Sequence, residues 1–228
     1  MFRYAKSAFA ALVLFASPAA AEVELSFYLG WQATADSTGS GTLPGGAPFS
    51  RSFDWDANPF DSPIYYGGRA TYWTQSNWGF GLEGTHTKAY ASALDMAALG
   101  LSRLELSDGH NIVTFNAIKR WPEAFGASKF TPYAGAGIGV AIPHVDIQVI
   151  GAANRTFDYE NTGLALRGLA GVKYDLSDHW ALFGEYQITW SDNDITIDAD
   201  PTVLGQLPGR LNTEITTHAI NFGVSYSF

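Results

Sequence analysis

A chain of 228 residues with 13 basic and 22 acidic residues is sized for one domain, and its net charge of −9 speaks against nucleic acid as a partner. With no cysteine, nothing in it is held by a disulfide. Beyond residue 21 no apolar run approaches the ~20 residues that a membrane-spanning helix needs.

The first residues, "MFRYAKSAFAALVLFASPAAA", place Arg3 and Lys6 before a short apolar run and then small residues. That order predicts a secretory signal peptide over residues 1–21, cleaved after Ala21. Without Arg3 and Lys6 the mature chain has 11 basic against 22 acidic residues, a net charge of −11. Residues 22–228 then form one domain.

Eight segments alternate with the two-residue period of a β-strand: Val23–Ala33, Tyr65–Trp73, Trp78–Ala91, His110–Trp121, Phe130–Val145, Tyr159–Tyr174, Trp180–Ser191 and Thr213–Phe228. Each reaches or approaches the ~9–11 residues with which a tilted strand crosses hydrocarbon. Short connections ("TQSN", "PEAFGASK", "DLSDH") alternate with long ones rich in Gly, Pro, Asp and Ser, as in an up-and-down meander.

Sidedness names the environment. Val23, Leu25, Phe27, Leu29 and Trp31 share one face of the first segment, opposite Glu24, Ser26, Tyr28 and Gly30. In the seventh, Trp180, Leu182, Tyr186, Ile188 and Trp190 oppose Ala181, Phe183, Glu185, Gln187 and Thr189. Trp and Tyr near both ends of apolar faces match interfacial girdles. The other face holds Glu24, Arg69, Glu83, Arg120, Arg167 and Glu185, which a narrow barrel can pair across its lumen. A soluble lipocalin-like barrel is the alternative and would reverse the faces. The expected fold is all-β: an eight-stranded antiparallel up-and-down transmembrane β-barrel with a packed polar interior. In "YAGAGIGVA", Gly135, Gly137 and Gly139 face inward, and the absence of a following helix argues against a dinucleotide loop. The expected address is a Gram-negative outer membrane, with outer-membrane lipids and the barrel-insertion machinery as partners.

The whole of Val23–Phe228 resembles the small eight-stranded outer-membrane barrels, and Phe228 is similar to their insertion signal. "ELSFYLGWQ", "YYGGRATYW", "GLEGTHTKAY", "DGHNIVTFNAIKRWP", "TPYAGAGIGVAIPHVD" and "FGEYQITWS" resemble a narrower family, the lipid A oxidases of alphaproteobacteria. That resemblance implies oxygen-dependent oxidation of the proximal glucosamine of lipid A to 2-aminogluconate, with release of hydrogen peroxide and a requirement for a divalent metal ion. It carries over no site residue. A non-catalytic barrel that stabilises the envelope or presents its loops to surfaces is the alternative function, and a narrow pore is disfavoured by the ionic filling.

Topology places His86, His110, His144 and His218 in the outer half and leaves His179 in a periplasmic turn. Imidazole and carboxylate are the ligands of oxygen-activating metals, so His86, His110, His144, Asp108 and Asp146 on neighbouring strands form a candidate metal set. A histidine at a membrane interface or an aspartate flanking a strand also has ordinary structural uses. Lys88, on the face of His86, is a candidate contact for a lipid A phosphate. "DNDITIDAD" lacks the glycine of a calcium loop at Ile197, "NRT" at Asn154 has no glycosylation context, and neither a G-x-S-x-G elbow nor a Ser-His constellation is evident.

Overall fold

The computed structural model describes residues 22–126 and 128–228; the expected signal peptide lies outside the described residues. Its strands are β1 (Glu22–Thr34), β2 (Ser37–Thr42), β3 (Pro48–Phe53), β4 (Trp55–Asp56), β5 (Tyr66–Trp73), β6 (Trp78–Ala91), β7 (Leu101–Arg120), β8 (Phe130–Val149), β9 (Thr156–Tyr159), β10 (Gly163–Asp175), β11 (Trp180–Ile197) and β12 (Gly209–Ser227). One short helix, α1 (Ala93–Ala98), joins β6 to β7.

Eight strands close the ring: β1, β5, β6, β7, β8, β10, β11 and β12 pair antiparallel in that order, and β1 pairs with β12. No edge in the ring is left unpaired for hydrocarbon to penalise. The seam holds from Glu24↔Ser227 to Thr34↔Thr217. The four extra strands belong to the outer connections. β2 and β3 make a hairpin whose first strand pairs with the top of β12, β4 pairs with β6, and β9 pairs with β8. The expected sixth segment is therefore two elements, with Tyr159 ending β9 and Gly163 opening β10.

Sidedness follows the membrane reading. Phe222 is 70% exposed and Leu182 49%, whereas Arg167 and Glu185 are each 3% exposed. On the outer surface Phe27 stacks on Tyr66, Phe80 on Phe115, and Tyr226 packs against Trp180 and Phe228. Close approach of β7 and β8 requires glycine at the lumen-facing positions. A Cβ on Gly139 would lie 1.8 Å from the Val113 carbonyl oxygen.

One expectation needs correction. β7 and β8 run for 20 residues each, about twice what crossing hydrocarbon takes, so the wall rises beyond the membrane as a crown. In the crown the faces exchange character. β11 points Glu185, Gln187, Thr189, Ser191 and Asn193 inward, then Ile195 and Ile197. Leu211 and Ile215 on β12, Leu104 and Leu106 on β7 and Val145 and Ile147 on β8 join them with Phe53 and Trp55 in one buried apolar cluster. The interior is polar at membrane level only. Where water replaces lipid outside, the lumen takes the apolar side chains, as in any soluble domain.

Candidate functional site

At membrane level the lumen is an ion-pair lattice. Glu83 accepts from Tyr28 Oη at 2.5 Å, Asn116 Nδ2 at 2.7 Å and Gln187 Nε2 at 2.6 Å, with Arg167 Nη1 at 3.0 Å and Arg69 Nε at 3.5 Å. Arg69 Nη2 also donates to Glu185 at 2.6 Å. Glu24 pairs with Lys173, and Tyr28 packs edge-on against Phe183. Buried carboxylates are tolerated here because each accepts several donors. Of the six residues expected in this network, Arg120 is placed elsewhere. It sits at the periplasmic mouth, paired with Glu22 at 2.7 Å and laid over the Trp73 ring at 4.4 Å, because it is the last residue of β7.

The outer wall carries a second polar constellation, at the outer end of the apolar band. A bulge creates it: Lys88 alone on β6 lies opposite Ser107, Asp108 and Gly109 of β7, between the pairs Thr87↔His110 and Ala89↔Leu106. Bulges re-aim side chains in this way. Gly109 has φ +118°, and a Cβ there would meet His86 Nδ1 at 2.6 Å, so glycine is required. The bulge brings Asp108 to 3.4 Å from His144 Nδ1.

His86 faces outward, stacked on Tyr66 with centroids 5.1 Å apart, and its Nδ1 lies 3.1 Å from Asn111 Oδ1. Asn111 Nδ2 donates to the Gly109 and Ile142 carbonyls, which fixes the amide so that Oδ1 accepts from His86. His86 Nε2 is then the lone-pair nitrogen, and it is buried without a partner. His144 is enclosed by the rings of Phe157 and Tyr159. Asp146, on the same face, lies 3.3 Å from Arg103 and 3.3 Å from Arg155, whose guanidinium stacks on Phe157.

The five candidate metal ligands are not one cluster. His110 points into the lumen, where Nε2 lies 3.2 Å from Ser191 Oγ and 3.3 Å from Asn193 Oδ1, while His86, Asp108, His144 and Asp146 lie outside the wall. Strand parity separates them, since His110 is one residue from Asn111 and therefore on the opposite face. Among the described residues no three His, Cys, Asp or Glu side chains are placed to hold a metal ion. The implied divalent metal does not fit this donor set, because Asp146 is spent on two arginines and His110 lies behind the wall. His218 stands apart on β12, with its Nδ1 2.6 Å from Tyr186 Oη, and His179 bonds the Ser227 carbonyl.

Lys88 also differs from expectation. It is fully buried, and its ammonium donates to the Asp61 carbonyl at 2.7 Å rather than facing lipid. The bulge turns it beneath the chain that enters β5. The juxtaposition of Ser191, His110 and Asn193 was not evident in sequence because 81 residues separate its first two members. Ser191 is wholly buried, so the trio serves as a polar stopper between the ionic and apolar zones of the lumen.

A family described as the outer membrane protein beta-barrel domain matches residues 7–228. The outer membrane protein OprG from Pseudomonas aeruginosa is similar in structure, with a TM-score of 0.54 at 15% identity over 91% of this chain and 95% of that one. Neisserial surface protein A gives 0.48 at 14% identity, covering 91% and 97%. Ail of Yersinia pestis, solved with a heparin analogue, gives 0.39 at 11% identity, covering 91% and 99%. No curated protein matches the chain. With a closed ring, a lipid-facing apolar band and a family match over nearly its whole length, the chain belongs to the outer membrane protein beta-barrel domain family and resides in the bacterial outer membrane.

Proposed function

We propose that this barrel modifies lipid A at the outer leaflet, oxidation of the proximal glucosamine being the chemistry that its sequence resemblance implies. The supporting observation is the outward strip of His86, Asn111, Asp108 and His144 at the outer end of the apolar band, the level at which a lipid A headgroup lies. In this reading Asp108 orients His144, which takes a proton from a sugar hydroxyl. No oxidative step is assigned to a metal held by these residues, since they do not form a metal site.

The test is mass spectrometry of lipid A from cells expressing the protein, grown with and without oxygen. An oxygen-dependent gain of one oxygen atom on the proximal sugar is expected, reduced by His144→Ala and Asp108→Asn in barrels that still fold. Unchanged lipid A leaves the second reading, a non-catalytic barrel that stabilises the envelope. The division of the candidate metal ligands between the two sides of the wall favours that reading.

A further inference from the structure

Four cationic side chains are buried in the described barrel: Arg69, Lys88, Arg167 and Lys173. Three have a carboxylate partner: Arg69 has Glu83 and Glu185, Arg167 has Glu83, and Lys173 has Glu24. Lys88 has none within salt-bridge distance among the described residues, and the Asp61 carboxylate acts on it from farther off. Its one hydrogen bond goes to the neutral Asp61 carbonyl, with the Tyr90 ring 5.7 Å away. An ammonium has three donors, and with the Asp61 carboxylate beyond salt-bridge distance its buried charge is only partly compensated, so this position has room for a partner that its chemistry demands.

The covering segment differs from the rest of the wall. The β1–β5 ladder stops at Leu29↔Tyr66 and the β5–β6 ladder at Tyr66↔His86. Above that level residues 57–65 cross the gap without ladder pairing. Side chains hold the gap closed instead. Gln32 Nε2 donates to the Ala57 and Lys88 carbonyls at 3.1 and 3.3 Å, and Thr34 Oγ1 donates to the Lys88 carbonyl at 3.3 Å. Beside Lys88, on the same face two residues away (roughly 7 Å along the strand), is His86 with its buried, unpartnered Nε2.

We propose that the segment Ala57–Tyr65 is a lid over a phosphomonoester site made by Lys88 and His86. With the lid lifted, the ammonium donates to the phosphate oxygens and His86 Nε2 accepts the hydrogen of the monoprotonated ester. The recognised group is a terminal phosphate, supplied by the phosphomonoester of a lipid headgroup or by free phosphate. The inference rests on lipid A lying against this wall and does not depend on its oxidation.

The experiment titrates the barrel, refolded in maltoside micelles, with dihexanoyl phosphatidic acid, dihexanoyl phosphatidylcholine and inorganic phosphate, followed by calorimetry. Phosphatidic acid should bind saturably and phosphatidylcholine should not. Lys88→Met should weaken binding at least tenfold and His86→Gln severalfold. Gln32→Met, which removes the side-chain bond from β1 to the Ala57 carbonyl of the lid, should tighten it, because less of the population is closed. Inorganic phosphate binding as tightly as phosphatidic acid supports the site and identifies free phosphate as its source; weaker binding identifies the lipid. A second readout covers a Lys88→Met barrel that fails to fold. In the wild type, acylation of Lys88 should be slow, faster in Gln32→Met, and suppressed by phosphatidic acid. Binding of equal strength in wild type and Lys88→Met, or acylation of Lys88 unaffected by ligand, overturns the proposal. Lys88-dependent binding together with unchanged lipid A mass would overturn the oxidase reading alone.

Discussion

Two carboxylates, Glu83 and Glu22, show how burial sets the worth of an ion pair. Glu83 is 1% exposed and joins two arginines, a tyrosine, an asparagine and a glutamine. Glu83→Ala would leave Arg69 and Arg167 short of a counter-charge in the lumen, and a loss of ~3–5 kcal/mol is expected. Glu22 and Arg120 pair at the mouth with side chains 31% and 18% exposed. There water supports each ion alone, so Glu22→Gln should cost less than ~1 kcal/mol. Urea titrations of both variants in micelles, monitored by heat-modifiable migration, test the contrast. Comparable losses would show that the lattice is not the main restraint in the lumen.

On single strands the exchange of faces at the membrane boundary makes opposite demands. Phe222, midway along the apolar band, faces lipid, and Phe222→Arg should destabilise by ~2–4 kcal/mol. Asp194 lies on the outer face of the crown in an exposed pair with Arg210, and Asp194→Leu should stay within ~0.5 kcal/mol. Unfolding in defined bilayers separates the two. Gly139 tests closure. Gly139→Val drives carbon into the Val113 carbonyl, and no heat-modifiable barrel should form. The crown has its own clasp, where Asp95 in α1 accepts from Arg51 Nε at 2.6 Å, from the Asp54 backbone N–H at 2.9 Å and from Ser92 Oγ at 2.8 Å. Burial pushes its carboxyl pKa up, but these donors together bring it below the usual carboxylate range. A lowered folded pKa means stabilisation present above the unfolded value of ~3.9 and lost as pH falls through the folded one. Amide exchange in α1 should therefore accelerate at the acid end, below about pH 4, with Asp95→Asn flattening the profile. A profile unchanged by Asp95→Asn would remove the clasp.

As a whole the molecule is a filled cylinder. Beside Glu24, Arg69 and Lys173 the free space is only about 10 Å³, roughly one water. Above it the Ser191–His110–Asn193 stopper and the apolar crown block the axis. Reconstitution in planar bilayers should show no conductance above the lipid baseline, and stable ionic steps would contradict this packing. The polar groups available to a ligand are consequently on the walls and at the mouths.

How much of this could be read from the sequence varied with the range of the interaction. Strand period, sidedness and ring order were legible because they depend on neighbours two residues apart and on short turns. Glu83, Arg69, Arg167 and Glu185 were identified as lumenal from parity alone. The crown was missed because its reversed alternation, at Ile195, Ile197, Leu211 and Ile215, keeps the same period and merely changes sign. The candidate site was legible only as residue types at one level.

By itself the sequence determined which face of each strand lipid would contact, since two-residue periodicity fixes side-chain direction locally. Only the tertiary structure decided that His110 and His86 stand on opposite sides of the wall, that Arg120 belongs to the mouth, and that Lys88 is roofed over. Each of those depends on register, a bulge or a loop crossing, which set distances between residues far apart in the chain.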